Sequence, residues 1–340
     1  MMNNPYVSII IVNWNGLRYL EKCFNSVKNQ NYQNYEIVFV DNASTDGSVD
    51  FIKENYPDTV IINNNKNLGF AEANNIGVQK SKGEYLFLLN NDAWVEKNTI
   101  QELLSTYSKI DNLGVVGCKV KNPDGTIQDL GIKIDRLGYP IGINKESTDD
   151  FVADVFFVSG CAFFMKKELF SRFNGFDERY FMFAEDVDLC WRVRLQGYKI
   201  VTNTNAEIYH YGGGSIVGGT IKNKKYVTNA NRIYLRERNT LSTMVKNLEL
   251  RNLIFRISIS IIFNIAECIF FIFILRPKVS LAYVKSWWWN LRNIKGTLMR
   301  RKNIQMHRKI TDRDLNEFIH NRIVKLDLIK TIGIPEVTTK

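Results

Sequence analysis

Cysteine and histidine are scarce in this chain of 340 residues, and several familiar signatures are missing altogether. The five cysteines (Cys23, Cys118, Cys161, Cys190 and Cys268) are odd in number, scattered, and form no Cys-x-x-Cys pair. That pattern excludes a disulfide framework and a zinc knuckle, and it fits a reducing compartment. The first residues, MMNNPYVSIIIV, lack a basic region, and their apolar run is too short for a secretion-signal core, so no leader is expected. Asn42-Ala-Ser is formally a glycosylation sequon, which carries no meaning without secretion. Gly212–Ser215 reads GGGS, but no Gly-Lys-Ser/Thr follows, which excludes a P-loop. There is no internal repeat and no low-complexity tract.

What is present is the composition of a globular protein, with 45% hydrophobic and 24% charged residues. The length suits one large domain, or one domain with an appendage. The net charge of +10 is unevenly placed. Residues 1–244 hold 27 Lys+Arg against 28 Asp+Glu, a net of −1, whereas residues 245–340 hold 18 against 7, a net of +11. We therefore expect a neutral body over 1–244 and a basic attachment region over 245–340. The anionic partners open to such a region are nucleic acid and a membrane surface.

The first third alternates strands and helices. Apolar runs at Tyr6–Asn15, Tyr35–Ser44, Thr59–Asn67 and within EYLFLLNND (84–92) read as strands. Between them, Leu17–Val27, the stretch from Ser44 to Asn55 and Gly69–Ser81 carry helical spacing or helix-start signals. Four such strands separated by helices predict parallel β-α units with right-handed crossovers, an α/β fold. Every one of these strands ends in Asn or Asp. An open α/β sheet binds its ligand at the carboxyl ends of its strands, so Asn90, Asn91 and Asp92 are either a turn or the floor of a site. Further on, Met182–Tyr198 predicts a helix opened by acidic residues, which suits its N-terminal dipole. Asn205–Ser215 predicts a short strand running into a glycine loop.

Beyond about 245 the character changes. Arg256 and Arg276 bracket 19 residues without Lys or Arg, in which Ser260, Asn264 and Glu267 would form one polar stripe on a helix. Nineteen residues could just cross a bilayer. Glu267 near the centre makes a lone span unfavourable, by about 2.5–3.5 kcal/mol for an acidic residue. In the next segment Val284, Trp288, Leu291 and Leu298 share one face, and Lys285, Arg292 and Lys295 another. We expect surface association through 253–302, with Trp287, Trp288 and Trp289 at headgroup level and Lys/Arg on anionic lipid. A span over 257–275 and a structural or homo-oligomer-forming helical pair are the other readings. Tryptophans beside basic residues could also stack on nucleic-acid bases, but the apolar stretch fits lipid better.

Four patches in order, VDNASTDGS (40–48), NKNLGFAEANNIG (65–77), LNNDAWV (89–95) and GFDERYFMFAEDVDLCWR (175–192), resemble the family 2 glycosyltransferases, in particular their rhamnosyltransferase-like, non-processive branch. The resemblance covers about residues 5–240. It implies the GT-A fold: a mixed, mainly parallel sheet flanked by helices, here followed by a C-terminal helical region. It implies a hexosyltransferase-type enzyme that moves a sugar from a nucleotide-diphospho-sugar to an acceptor with inversion, using Mg²⁺ or Mn²⁺. The acceptor would be a glycan or a polyprenyl-linked glycan of the cell envelope. The expected location is cytoplasmic, at the inner face of the cell membrane.

The same resemblance assigns residues. Asp41 would accept the imide N–H of uracil or thymine, which suits an acceptor-only carboxylate. Asn13, Asn67 and Gly69 would lie on the substrate, and Asn91 near the ribose. Asp92, the one carboxylate of Asn90-Asn91-Asp92, would be a metal ligand, joined by His210; oxygen and imidazole donors suit Mg²⁺ or Mn²⁺. His210 could instead be a core histidine held by a carbonyl. Asp186 of the Glu185-Asp186 pair would be the general base, its pKa raised by Glu185, although both could simply cap the helix. Asp177 would shape the acceptor side, and Arg192 is open to a substrate or a structural role. The Gln-x-x-Arg-Trp box of the processive branch is missing, which implies addition of one sugar or a few. The donor could be dTDP-rhamnose or a UDP-sugar such as galactofuranose or an N-acetylhexosamine. A non-catalytic binding protein on the same fold is the reading favoured by Asn90 and Asn91 in place of carboxylates.

Overall fold

VSIIIVN, the first strand, is buried along almost its whole length, as a strand covered on both faces must be. In the computed structural model, which describes residues 4–143, 152–212, 220–222, 225–333 and 336–338, this strand is β1 (Val7–Asn13). The elements that follow are α1 (Leu17–Lys28), β2 (Tyr35–Asp41), α2 (Ser48–Asn55), β3 (Val60–Asn63), α3 (Gly69–Lys80), β4 (Tyr85–Asn90), β5 (Ala93–Val95), α4 (Thr99–Lys109), β6 (Leu113–Lys121) and β7 (Ile127–Asp129). Then come β8 (Ile132–Asp135), β9 (Pro140–Gly142), β10 (Val152–Asp154), β11 (Ala162–Lys166), α5 (Lys167–Arg172), α6 (Glu185–Leu195) and β12 (Lys199–His210). The chain divides into two compact units, Met1–Ile132 with Gly142–Ser215, and Lys133–Ile141 with Ile216–Lys340.

The first unit is built on a sheet of order β10-β12-β6-β11-β4-β1-β2-β3, with β5 added beside β12 and β7 beside β6. β4, β1, β2 and β3 run parallel, with Asn13 opposite Asp41 and Val12 opposite Asn90. Their polar ends therefore lie along one edge. β11 enters antiparallel between β4 and β6, so the strand direction reverses beside β4. Leu20, Cys23, Phe24 and Val27 of α1 recur at helical spacing and are buried in the core that packs one face of the sheet. This is the α/β architecture expected from the alternation of strands and helices.

Two boundaries differ from the sequence reading. The helix expected from Met182 starts at Glu185, because Phe183 and Ala184 hold positive φ angles of 69° and 65°, which no α-helix accepts. The strand expected to be short extends over the 12 residues of β12, because it has partners along its length in β10, β6 and β5. Gly213–Ser215 of the glycine loop lie outside the described residues.

The second unit contains β13 (Thr220–Lys222), β14 (Lys225–Asn229), α7 (Ala230–Asn247), α8 (Leu250–Phe273), α9 (Pro277–Arg292), α10 (Ile294–Met306), β15 (Ile319–His320), α11 (Val324–Ile332) and β16 (Glu336–Thr338). The boundary drawn from charge at 244/245 falls inside α7. Ile233, Cys268, Phe271, Val279, Ala282 and Tyr283 form its apolar core. The polar stripe of α8 faces inward: Ser260 and Asn264 are fully buried, and Asn264 and Glu267 both accept from the ammonium of Lys325 on α11, at 3.1 and 2.6 Å. Glu237 of α7 accepts from the same ammonium at 3.1 Å. The outer face of α8 carries Ile254, Ile262, Ile269, Ile272 and Phe273, all exposed. Val284, Trp288, Leu291 and Leu298, expected to share a face, are also exposed.

Candidate active site

The parallel strands β4, β1 and β2 end in Asn90, Asn13 and Asp41, and the side chains of Asn91, Asn13 and Asp41 are wired together. Asn91 Nδ2 donates to Asn13 Oδ1 (2.6 Å), and Asn13 Nδ2 donates to Asp41 Oδ1 (3.0 Å). The backbone N–H of Ser44 donates to the other Asp41 oxygen (2.8 Å). Gly16 makes this possible: a Cβ there would collide with Asn91 Nδ2 and Asn13 Oδ1. Three expected residues, Asn13, Asp41 and Asn91, are thus one hydrogen-bonded row across the strand ends. Asn67 sits one strand further on. Its Oδ1 accepts from the Gly69 N–H (2.9 Å) and from Asn42 Nδ2 (3.3 Å).

Asp92 turns toward His210. The carboxylate Oδ1 lies 3.1 Å from His210 Nε2, because β5, directly after Asp92, pairs with the end of β12 and sets His210 opposite Ala93. His210 Nδ1 is 3.0 Å from Gln128 Oε1. With Gln128 accepting from Nδ1–H, the Nε2 lone pair faces the Asp92 carboxylate. Asn90 Nδ2 also lies 3.4 Å from this Nε2, and a proton or a cation between Nε2 and the carboxylate would make their close approach favourable. An imidazole nitrogen and a carboxylate oxygen, oriented by a second-shell amide, are a fitting donor set for Mn²⁺ or Mg²⁺. No group of three or more His, Cys, Asp and Glu side chains that could hold a metal occurs among the described residues, so a cation here would also need ligands from its substrate. Beside this pair lies an aromatic shelf. Trp94 stacks on Tyr209 with centroids 5.0 Å apart, and half-exposed Tyr211 packs against Trp94 and Tyr19. Lys22 Nζ sits 3.3 Å from the centre of the Trp94 ring.

Glu185 and Asp186 open α6 and are tied to the same strand ends. The N–H of Gly160 donates to Asp186 Oδ2 (3.0 Å), and the carbonyl of the next residue, Cys161, accepts from the N–H of Asn90 (3.0 Å). The loop before α6 is anchored to the start of α3: the Phe181 carbonyl accepts from the N–H groups of Phe70 and Ala71, at 2.6 and 3.2 Å. Gly69, at φ +83°, is required at that contact, since a Cβ would strike Phe181. Phe181, Phe183 and Ala184 all hold positive φ. Each such residue costs of order 1–3 kcal/mol and persists because its surroundings hold it.

Burial raises the pKa of both carboxyls. Asp186 is relieved by the N–H groups of Val187 and Gly160, whereas Glu185 Oε2 is buried without a hydrogen-bond partner and also feels the charge of Asp186. Glu185 is therefore the member that keeps its proton and Asp186 the one that ionises first. The raised pKa expected of Asp186 is found, but its cause is burial rather than Glu185, and the charge effect within the pair falls on Glu185.

Two expected residues are engaged elsewhere. Asp177 is bridged by the Arg179 guanidinium at 2.8 and 2.6 Å. Arg192 donates to Asp188 (3.0 Å), to the Gly175 carbonyl (2.8 Å) and to the Phe173 carbonyl, which binds α6 to the preceding loop. Its structural reading is the one these contacts support. Asp129, at the end of β7, did not stand out from the sequence. It is buried, accepts from the Gly131 N–H (3.1 Å), and has its pKa raised to about 6. Burial is the largest cause, with the Asp186 charge adding to it and His210 opposing. It therefore sits in the fields of both ends of the site. A lone Asp in IQDLG carries no local signal of this.

Residues 8–173 match the profile of glycosyl transferase family 2. The chain is 27% identical over 230 residues to O-antigen biosynthesis protein RfbC of Myxococcus xanthus, a match that covers 62% of this chain but 18% of that protein. Over 230 residues it is 25% identical to N-acetylglucosaminyl-diphospho-decaprenol L-rhamnosyltransferase of Mycobacterium tuberculosis, covering 60% of this chain and 75% of that one. In three dimensions it is similar to mannosyltransferase PcManGT from Pyrobaculum calidifontis in complex with GDP-Man and Mn²⁺ (TM-score 0.54, 16% identity, 85% of this chain and 88% of that one). At that identity the likeness shows the fold, which is GT-A.

Proposed function

We propose that this chain, which carries a family 2 glycosyltransferase domain, moves a single sugar with inversion from a pyrimidine nucleotide-diphospho-sugar to a glycan or polyprenyl-linked glycan acceptor. The observation that carries the reading is the tie through Gly160 and Cys161. It joins a half-buried carboxylate, Asp186, to the strand end that bears Asn91 and Asp92. In this reading Asp41, Asn13 and Asn91 receive the nucleoside, with Asp41 oriented by Asn13 and Ser44 to accept an imide N–H. Asp92 and His210 would hold Mg²⁺ or Mn²⁺, which supplies charge neutralisation for the departing diphosphate. Asp186 takes the proton from the acceptor hydroxyl, a role that contributes about 10²–10⁴-fold. Protonated Glu185 behind it keeps a second negative charge away from the attacking oxygen.

Rhamnose from dTDP-rhamnose is the preferred donor, supported by the named activity of the Mycobacterium tuberculosis relative. Thymine and uracil present the same imide, so UDP-sugars satisfy the same Asp41. The apolar outer faces of α8, α9 and α10, with their Lys and Arg, would lie on the cytoplasmic membrane surface, where a lipid-linked acceptor resides. By length and composition α8 could cross a membrane, but its polar stripe is occupied by Lys325, which favours a surface position.

Turnover with a donor panel tests the proposal. The purified chain, with Mn²⁺ or Mg²⁺ and membrane extract as acceptor, should release nucleotide diphosphate from one donor, and Asp186→Asn and Asp92→Ala should both lower that release by about 100-fold or more. No release and no nucleotide binding with any donor would give the fold to a binding role instead.

A further inference from the structure

The second unit contains a cavity of about 500 Å³ between the first half of α8 and the segment around β15. Asn252, Phe255, Arg256 and Ile259 line it at the i, i+3, i+4, i+7 spacing of one helix face. Arg136 lines it from the turn after β8, and Ile319 and Ile323 from the other side. The wall therefore combines two guanidiniums and three asparagine amides with five apolar side chains.

Arg256 is the unusual member. Its Nη1 is buried and has no hydrogen-bond partner. Its pKa is lowered by burial and by the neighbouring charge of Arg136, with Asp312 and Asp135 opposing. Those two carboxylates are already occupied by other donors. Asp312 accepts from the Glu249 N–H, Asn252 and Arg308, and Asp135 from the N–H groups of Leu137, Tyr139 and Val324. A buried guanidinium N–H without an acceptor is unfavourable by the cost of its desolvation. An anion between Arg256 and Arg136 would remove that cost, and phosphate oxygens match the guanidinium fork. Inorganic phosphate would leave Phe255, Ile259, Ile319 and Ile323 unused. A phosphate carrying a long alkyl chain would use them, and Phe255 is itself exposed, on the helix whose outer face is apolar.

We propose that this cavity binds the phosphate or diphosphate group of a membrane lipid, with the anion on Arg256 and Arg136 and the first part of the chain along Phe255 and Ile259. The site lies wholly in the second unit. It goes beyond the transferase reading and would stand for a chain with no measured turnover.

Vesicle flotation of the full chain tests it without reading activity. Phosphatidylcholine vesicles would contain either phosphatidic acid, which exposes a phosphate monoester, or phosphatidylserine at matched surface potential. The expected result is about tenfold tighter binding to the phosphatidic acid vesicles, a difference of 1.4 kcal/mol. Arg256→Gln and Arg136→Gln should each remove that preference and leave equal residual binding to both vesicles. Arg136 is exposed, and its side-chain hydrogen bond to Asn321 (2.8 Å) is an exposed one, so its replacement disturbs folding less than that of Arg256. Equal binding of the parent chain to both vesicles, or a preference retained in both variants, would overturn the proposal. Inorganic phosphate is the third arm. Displacement from phosphatidic acid vesicles by millimolar phosphate at constant ionic strength would assign the cavity to the free ion and overturn the lipid assignment; no displacement supports it.

Discussion

His210 Nε2 stands 3.1 Å from Asp92 Oδ1, at the junction where β5 pairs with the last residues of β12. Gln128 holds the opposite ring nitrogen at 3.0 Å. If the pair binds the catalytic cation, Gln128→Leu frees the ring to rotate and should raise the Mn²⁺ concentration for half-maximal turnover by about 10–100-fold, the usual effect of losing an outer-shell partner. A metal titration of turnover reads this directly, and an unchanged midpoint would remove His210 from the metal site.

Asp186→Asn should lower single-turnover transfer by about 10²–10⁴-fold while leaving nucleotide affinity unchanged. The parent enzyme should also show an acid limb. On the proposed role the base works ionised, and burial raises the Asp186 pKa above the ordinary value of 3.8, so the rate would fall as pH drops through that raised value. An acid limb at or below the ordinary value would exclude Asp186 as the base.

Glu185→Gln should stabilise the protein at neutral pH by about 1–2 kcal/mol, in the range of other substitutions that relieve strained functional sites. The sign follows from a folded-state pKa raised above the ordinary 4.5. Below about that pH the carboxyl is protonated in both states and costs nothing. As pH rises the unfolded chain ionises first and is favoured. Thermal melts across pH should show the two proteins converging in acid and the variant ahead near neutrality.

Gly16→Ala should destabilise the first unit by about 1–3 kcal/mol, the usual cost of overpacking. Its new methyl overlaps Asn91 and Asn13. Adding Asn91→Ala should recover part of that loss, since the two sites share one volume. Denaturant unfolding of the single and double variants measures the coupling; strict additivity would mean that the contact is absent in solution.

Lys325→Met leaves Glu237, Glu267 and Asn264 without their shared donor. Breaking a buried pair from one side costs about 3–5 kcal/mol. The variant should melt earlier, and adding Glu267→Gln should restore part of the difference by removing one unpaired charge.

The first four strands and the helices between them were legible because their cues are local. An apolar run ending in Asn or Asp names its own boundary, and parallel neighbours follow from the intervening helices. For that reason Asn13, Asp41 and Asn91 could be placed at one edge before any coordinates, and the structure links them in a single row. The start of α6 was misplaced because nothing in FMFAE (181–185) announces three non-glycine residues at positive φ. That backbone is held by Phe70 and Ala71, more than a hundred residues earlier in the sequence.

By itself, the sequence determined the alternation of strands and helices, the polar strand ends, and a C-terminal region rich in apolar and basic residues. Those features depend on spacings of a few residues. The tertiary structure alone decided which distant side chains share a field: Asp129 with His210 and Asp186, and Lys325 with Glu237 and Glu267. It also decided which face of α8 is outward. Helical periodicity divides that helix into a polar stripe and an apolar face with equal clarity whichever one is buried. The ammonium of Lys325, arriving from the far end of the chain, turned the polar stripe inward and left the isoleucines and phenylalanines outside.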